Sequence, residues 1–511
     1  MIRLFFSEKL PIQVERGITT KKENIIEGGI RMKKVLCTIA LMLLVATSAY
    51  AQATFSLTGS YWAEGKYWFN YNPVPGTDNP ANVTANLPLY KESSFGFYEQ
   101  DVNLFPKITV GNTSLNMKIA ITDTNWGEVA AGDTTNDLGT NYLEPDDNIA
   151  IERAFITHKF GDKFTLDVGL MDGTQWGTVF GDDKTGRWRV KGTAVTPVGV
   201  VGALVEKIAE NGAVGENAAW ENDDSDNYAL FAVTKVGSVY IRPLFFYVDT
   251  DHVIPGDGDN FFRRMYYSLA FDGELGPVSF ESEFNYNDYK LEAADIAAAL
   301  GLAGIDEDWS TWGAYFNVWK ALDSMTIGAT FAYGSYDKSQ YRKFTGLSDS
   351  LQPNIALLRG IPADSITPDQ AARLAQLERV QELATRIRAS TVFDFEDDFN
   401  STVILGDEFC WGGDGDDLQG MTLFKLYVND IKTGIDPLTL SAYAAYVMSN
   451  QEDNAYEDAT AWEFGIGAAY RITDNLYYTP YFSYADINYD VTGVDDPDAV
   501  YIIANAIEFT F

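Results

Sequence analysis

The stretch VNLFPKITVGNTSLNMKIAIT, residues 102–122, places apolar side chains at every second position, Val102 to Val110, breaks at Gly111-Asn112, and resumes with Leu115, Met117, Ile119 and Ile121. A period of two interrupted by a tight turn is a β-hairpin. The unit recurs in FITHKFGDKFTLDVGL, turning at Gly161-Asp162, in YYSLAFDGELGPVSFESEFNY, turning near Gly273, and in WEFGIGAAYRITDNLYYTPYFSY, turning at Thr473-Asp474-Asn475. Between such hairpins lie longer, acidic connections. On these criteria the chain forms roughly eighteen strands, sixteen being the lower count, from near Thr54 to the terminal ANAIEFTF, with turns and long loops alternating. The expected fold is all-β: a transmembrane, antiparallel, up-and-down β-barrel with short periplasmic turns and long acidic outer loops. A large soluble sandwich or propeller would explain neither the one-sided loop lengths nor the segment that precedes the strands.

That segment, MKKVLCTIALMLLVATSAYAQA from Met32, has two lysines, an apolar run and a small-residue site at Ala49-Tyr50-Ala51. It reads as a cleaved secretory signal peptide, residues 32–51, leaving Gln52 first in the mature barrel of residues 52–511. Residues 1–31 are expected to be an upstream extension outside the fold. The chain carries 37 Lys and Arg against 73 Asp and Glu; the part up to Ala51 holds 8 and 4 of these, leaving 29 against 69. Such acidity excludes nucleic acid as a partner. Past the signal peptide no apolar run is long enough for a membrane helix, whereas a barrel keeps average hydropathy low by alternating faces. Cys410 is the single cysteine of the mature chain, so no disulfide framework exists.

The architecture resembles the outer-membrane porins of Gram-negative bacteria: signal peptide, antiparallel hairpins, abundant Tyr and Phe, and a terminal phenylalanine. The resemblance implies an outer-membrane location, contacts with lipid and lipopolysaccharide, small hydrophilic solutes as cargo, and Phe511 with Phe509 as the signal read by the barrel assembly machinery. A homotrimer is one assembly it allows. It also implies that the third long loop, Asp172 to Arg187, folds inward and narrows the pore. Val179-Phe180-Gly181-Asp182 there departs from the Pro-Glu-Phe-Gly-Gly of the enteric general porins, and about eighteen strands is nearer the sugar-specific ones.

Parity then assigns a constriction. Trp176, Phe180, Asp182, Asp183 and Lys184 of the loop are expected to face a basic wall of Arg153, Arg187, Arg189 and Lys191, with Lys107, Lys118, Lys159, Arg242, Arg264, Glu281 and Glu283 also lining the lumen. Opposed charges across a narrow gap focus a field that sorts solutes by charge and dipole; alternatively these cations merely neutralise an acidic protein. Inward aromatics, Phe105, Phe155, Tyr240, Phe246, Tyr477 and Tyr481, leave a saccharide channel open, though a one-residue parity error turns each ring into the outer girdle.

The insertion from about Ser335 to Gln419 lies outside the barrel pattern. Thr367 as N-cap, Pro368 at the first helical position, and Leu374, Leu377, Val380, Leu383, Ala384 and Ile387 predict one amphipathic helix near 367–390 in search of a partner: the pore mouth, a neighbouring subunit or its own loop. Acidic clusters offer weak calcium candidates, Asp414, Asp416 and Asp417, or Asp257 and Asp259; loosely bound calcium on a solvated surface explains the same residues, and no cofactor is expected. His158 and His252 stand in no recognisable catalytic grouping, so no enzymatic activity is expected. The functional expectation is a passive, cation-preferring porin; the alternatives are a substrate-specific channel and a surface barrel that only anchors its loops.

Overall fold

The computed structural model describes residues 53–71, 93–125, 149–173, 176–181, 186–209, 225–251, 261–293, 305–362, 365–395, 399, 401–408, 420–452, 457–488 and 498–511. They form one sheet of eighteen antiparallel strands, each paired with its sequence neighbours, and β1 pairs with both β2 and β18, closing the barrel. In order these are β1 (Ala53–Tyr71), β2 (Ser93–Val110), β3 (Thr113–Asn125), β4 (Ile149–Phe160), β5 (Phe164–Asp172), β6 (Gly186–Thr196), β7 (Gly199–Ala209), β8 (Ser225–Val236) and β9 (Val239–Asp251). Around the second half follow β10 (Phe261–Leu275), β11 (Val278–Ala293), β12 (Ile305–Ala321), β13 (Thr326–Gly334), β14 (Met421–Lys432), β15 (Leu438–Ser449), β16 (Thr460–Thr473), β17 (Leu476–Asn488) and β18 (Val500–Thr510). Both ends of the barrel chain lie on the short-turn side, since Ala53 pairs with Val110, next to the turn at Gly111.

Gly111 adopts φ 57°, a left-handed conformation that suits glycine and reverses the chain in two residues. In the fifth hairpin the turn sits at Gly276-Pro277, three residues beyond Gly273, because β10 runs on to Leu275. Gly273 is instead a strand residue whose lack of a side chain lets β9 approach: a Cβ there would lie 2.5 Å from the Ser238 carbonyl.

Burial follows the alternation and runs opposite to that of a soluble protein. Trp188, Leu230, Leu426 and Ile466 are 60, 61, 67 and 61% exposed, whereas Glu206, Glu283 and Glu463 are 1, 2 and 0% exposed on the opposite parity. Apolar side chains facing out and carboxylates facing in define a wall between hydrocarbon and an interior lumen. The terminal strand follows the same rule: Ile503, Ile507, Phe509 and Phe511 are exposed, while Val500, Ile502 and Ala504 are buried inside.

Between β13 and β14 the chain forms two helices, α1 (Lys338–Arg359) and α2 (Pro368–Ser390). Asp337 caps α1 by accepting from the amides of Ser339 and Gln340, and Thr367 with Gln370 forms a capping box on α2. The partner of α2 is therefore α1, a helix that Gly346 and Pro353 obscure in the sequence although Phe344, Leu347, Leu351, Ile355 and Leu358 keep the helical spacing. Leu377, Val380 and Ile387 of α2 join Phe344, Leu351 and Ile355 of α1 on Tyr289, Leu291 and Trp309, where β11 and β12 rise above the barrel body. Trp309 fastens the pair by donating its indole N–H to the Ser390 carbonyl at 3.2 Å.

Candidate functional site: a divided lumen

Among the described residues two segments enter the barrel, and each is held by one buried glutamate. The third long loop is pinned on β11. Glu283 Oε2 accepts from the Thr178 amide at 2.6 Å and the Thr178 hydroxyl at 2.8 Å, while Oε1 accepts from Ser268 at 2.8 Å. Gly177 and Gly181 flank the contact, and a Cβ on either would fall 2.5 or 2.4 Å from the carboxylate. Arg242 adds a bond of 2.7 Å to the Gly177 carbonyl.

The second segment descends from the end of α2. Phe393 donates its amide to Ser335 O and accepts from the Gly420 amide, which knits the two ends of the insertion together. Beyond it the start of a π-helical turn, Ile404–Glu408, and the residue before it present three successive amides to one carboxylate on β16: Val403 N and Ile404 N to Glu463 Oε1 and Leu405 N to Oε2, each at 2.9 Å. Tyr443 and Ser483 also donate to Glu463. Lys425 donates to the Ser401 carbonyl and lies 4.8 Å from the Tyr443 ring. Charged acceptors aimed at a nest of amides are strong when water is excluded, and all three amides here converge on one carboxylate, that of Val403 being shared with the Tyr443 hydroxyl at 3.1 Å.

The two segments meet at Phe180, which is fully buried. Its ring packs on Phe393, Phe395 and Phe399 of the insertion and stacks on Tyr315 of β12, with centroids 5.1 to 5.6 Å apart. Gly313 and Gly334 make room for this cluster, since a Cβ on the first would fall 2.2 Å from the Phe393 ring. Ile404 and Leu405 join the same buried apolar cluster as Phe180, together with Met421, Leu423, Val447, Ala461, Ile487 and Ile502 of the barrel strands. Around the insertion the inner wall of β13 to β18 thus carries a covered apolar strip, with the polar groups of Lys425, Tyr443, Glu463 and Ser483 beside it.

The other half of the wall is charged. Lys66 pairs with Glu64 at 3.3 Å and Glu99 at 2.7 Å, Lys118 with Glu152, Arg153 with Asp172, and Lys191 with Asp167 at 3.3 Å. Arg187 lies 3.6 Å from Glu206, Arg189 forks onto the same carboxylate and also bonds Asp172 O at 2.8 Å, and Arg242 pairs with Asp272 at 2.7 Å. Asn227 completes Glu206 at 2.9 Å.

The predicted residues therefore separate. Arg153, Arg187, Arg189, Lys191 and Lys118 do face inward, but each is matched by a carboxylate on its own or the adjacent strand instead of standing unopposed against the loop. Cross-strand pairing lets the wall neutralise itself locally. Phe180 turns away from this wall into the aromatic cluster, and Trp176 packs near Phe231 of β8 at 5.1 Å. Asp182, Asp183 and Lys184 lie outside the described residues. Arg264 bonds Asn287 at 2.8 Å between the rings of Tyr266 and Tyr289, and Glu281 accepts from Tyr315 at 2.6 Å and Asn317 at 3.1 Å. Lys107 and Lys159 sit exposed near the short-turn end. Among the inward aromatics, Tyr481 packs against the apolar cluster and Tyr240 lies beneath Lys235 at 4.5 Å, so these two do not belong to one row. His158 is outward, bonded to Thr113 at 2.8 Å and packed edge-on against Phe160. His252, Cys410, Asp257, Asp259, Asp414, Asp416 and Asp417 lie outside the described residues, and among those described no group of three metal-binding side chains forms.

Sequence reasoning missed Glu463, Glu206 and the descending segment. One signal was available for the last: residues 391–419 contain nine acidic residues and no basic one, interleaved with Phe393, Phe395 and Phe399.

No family model matches the chain, and no curated protein matches it in sequence. Among solved structures it is similar to OpdQ of Pseudomonas aeruginosa, at 11% identity and TM-score 0.45 over 90% of this chain and 97% of that one. It is similar also to OccAB3 of Acinetobacter baumannii, at 10% identity and TM-score 0.46 over 89 and 99%. A third is the outer membrane protein opdK from Pseudomonas aeruginosa, at 8% identity and TM-score 0.43 over 89 and 98%. These are likenesses of overall shape. Closed topology, apolar exterior and partly filled interior define the class: a transmembrane, antiparallel β-barrel of eighteen strands.

Proposed function

We propose that the chain is an outer-membrane channel through which small hydrophilic solutes diffuse passively, along a narrow conduit on the β1–β10 side of the lumen, with a preference for cations. The observation that carries this is the split inner wall. An apolar strip covered by the insertion excludes water from one side, while ion pairs on the other keep a hydrated surface. The acidity of residues 391–419 and of the outer connections supports the cation preference, because like-signed mouths concentrate counter-ions. The same reading takes residues 32–51 as a cleaved signal peptide and Phe511 with Phe509 as the assembly signal.

The test is single-channel conductance and salt-gradient reversal potential of residues 52–511 in a planar bilayer. Small ohmic steps with cation-selective reversal support the reading. A folded, heat-modifiable barrel that never conducts would make the protein an anchor for its outer loops, and steps as large as those of an unfilled barrel would contradict the divided lumen.

A further inference from the structure

The conduit wall has a property that distinguishes solutes by more than size. Its cations are partly accessible to the lumen: the side chains of Arg153, Lys191 and Arg242 are 25, 31 and 30% exposed, and their partners Asp172, Asp167 and Asp272 are 12, 11 and 30% exposed. Positive and negative groups therefore alternate along neighbouring strands, which lie about 4.8 Å apart. A solute that carries one charge can bind such a wall only by breaking a pair and stranding the displaced partner, which is costly in a confined, poorly solvated site. A solute that carries both charges a few ångströms apart inserts into a pair and gives each wall group a new partner. The number of ion pairs is then conserved or increased, and no charge is left over. Partly exposed pairs are individually weak, so such exchange is cheap and reversible, as permeation requires.

On the channel reading above, we propose that the preferred cargo of this conduit is small zwitterions of the α-amino acid type, which pass by exchanging partners along the paired wall. Selection is by dipole, with neither a lone carboxylate nor a lone ammonium favoured at the wall itself. The overall preference for inorganic cations arises elsewhere, at the acidic mouth and in the insertion.

The experiment is uptake of labelled solutes of similar size into vesicles bearing the mature barrel: L-glutamine, N-acetyl-L-glutamine, L-glutamine methyl ester and ribitol. Glutamine is expected to enter severalfold faster than ribitol and faster than either singly charged derivative. In Asp167→Asn, which leaves Lys191 without its carboxylate, the order should shift toward the N-acetyl form. Swapping the pair, Asp167→Lys with Lys191→Asp, should keep the glutamine preference. Entry rates that follow size alone, or a singly charged form leading in the unaltered barrel, would overturn the inference while leaving the channel intact. A barrel that conducts nothing and admits none of the four solutes would overturn both readings.

Discussion

Glu283 and Thr178 lie 105 residues apart, and Thr178 reaches one oxygen of the buried Glu283 carboxylate through both its amide and its hydroxyl. This contact fixes how far the third long loop enters the barrel, so Glu283→Ala should free it. Expected is a severalfold rise in single-channel conductance with noisier open levels. Unchanged conductance would mean that Arg242 and the Phe180 cluster hold the loop without the glutamate.

Gly181→Ala addresses the same contact from the loop side. Its Cβ would fall 2.4 Å from Glu283 Oε1, so the loop or the carboxylate must shift. The conductance change should run in the same direction as for Glu283→Ala and be smaller. An effect larger than that of the alanine at 283 would assign Gly181 a role apart from the glutamate.

Glu463→Gln replaces one of two accepting oxygens by a donor that faces amides. Each buried amide left without an acceptor costs about 1–3 kcal/mol, enough to loosen the descending segment while the strands stay paired. Limited proteolysis of the folded barrel should then cut within residues 391–419 faster than in the parent protein, with the heat-modifiable shift on gels retained. Equal cutting rates would show that the apolar packing of Ile404 and Leu405 suffices.

Phe180→Ala removes the ring shared by both inward segments. For a fully buried phenylalanine the cost is about 3–5 kcal/mol, to be read as a lower thermal midpoint by near-ultraviolet circular dichroism. Coupling between the segments should appear in a double-mutant comparison with Phe399→Ala: the two losses should sum to more than the loss in the double variant. Strict additivity would indicate that the loop and the insertion are held independently.

Lys191→Gln leaves Asp167 without its cation at the conduit wall. Reversal potentials should move further toward cations, by several millivolts in a tenfold salt gradient.

The sequence by itself determined the barrel. Alternation, turn residues and loop lengths are local properties, and they placed the hairpins, the inward parity of Arg187, Arg189, Lys191, Glu281 and Glu283, and the outward row that ends in Phe509 and Phe511. Only the tertiary structure decided what fills it. Whether Arg189 is free or neutralised depends on Glu206, 17 residues away on the next strand, and whether the insertion caps or enters the lumen depends on Glu463, some 60 residues beyond the amides it holds. Parity reports the face of the sheet on which a side chain stands. Which partner meets it there depends on barrel closure, which brings sequence-distant strands and loops together inside one confined volume.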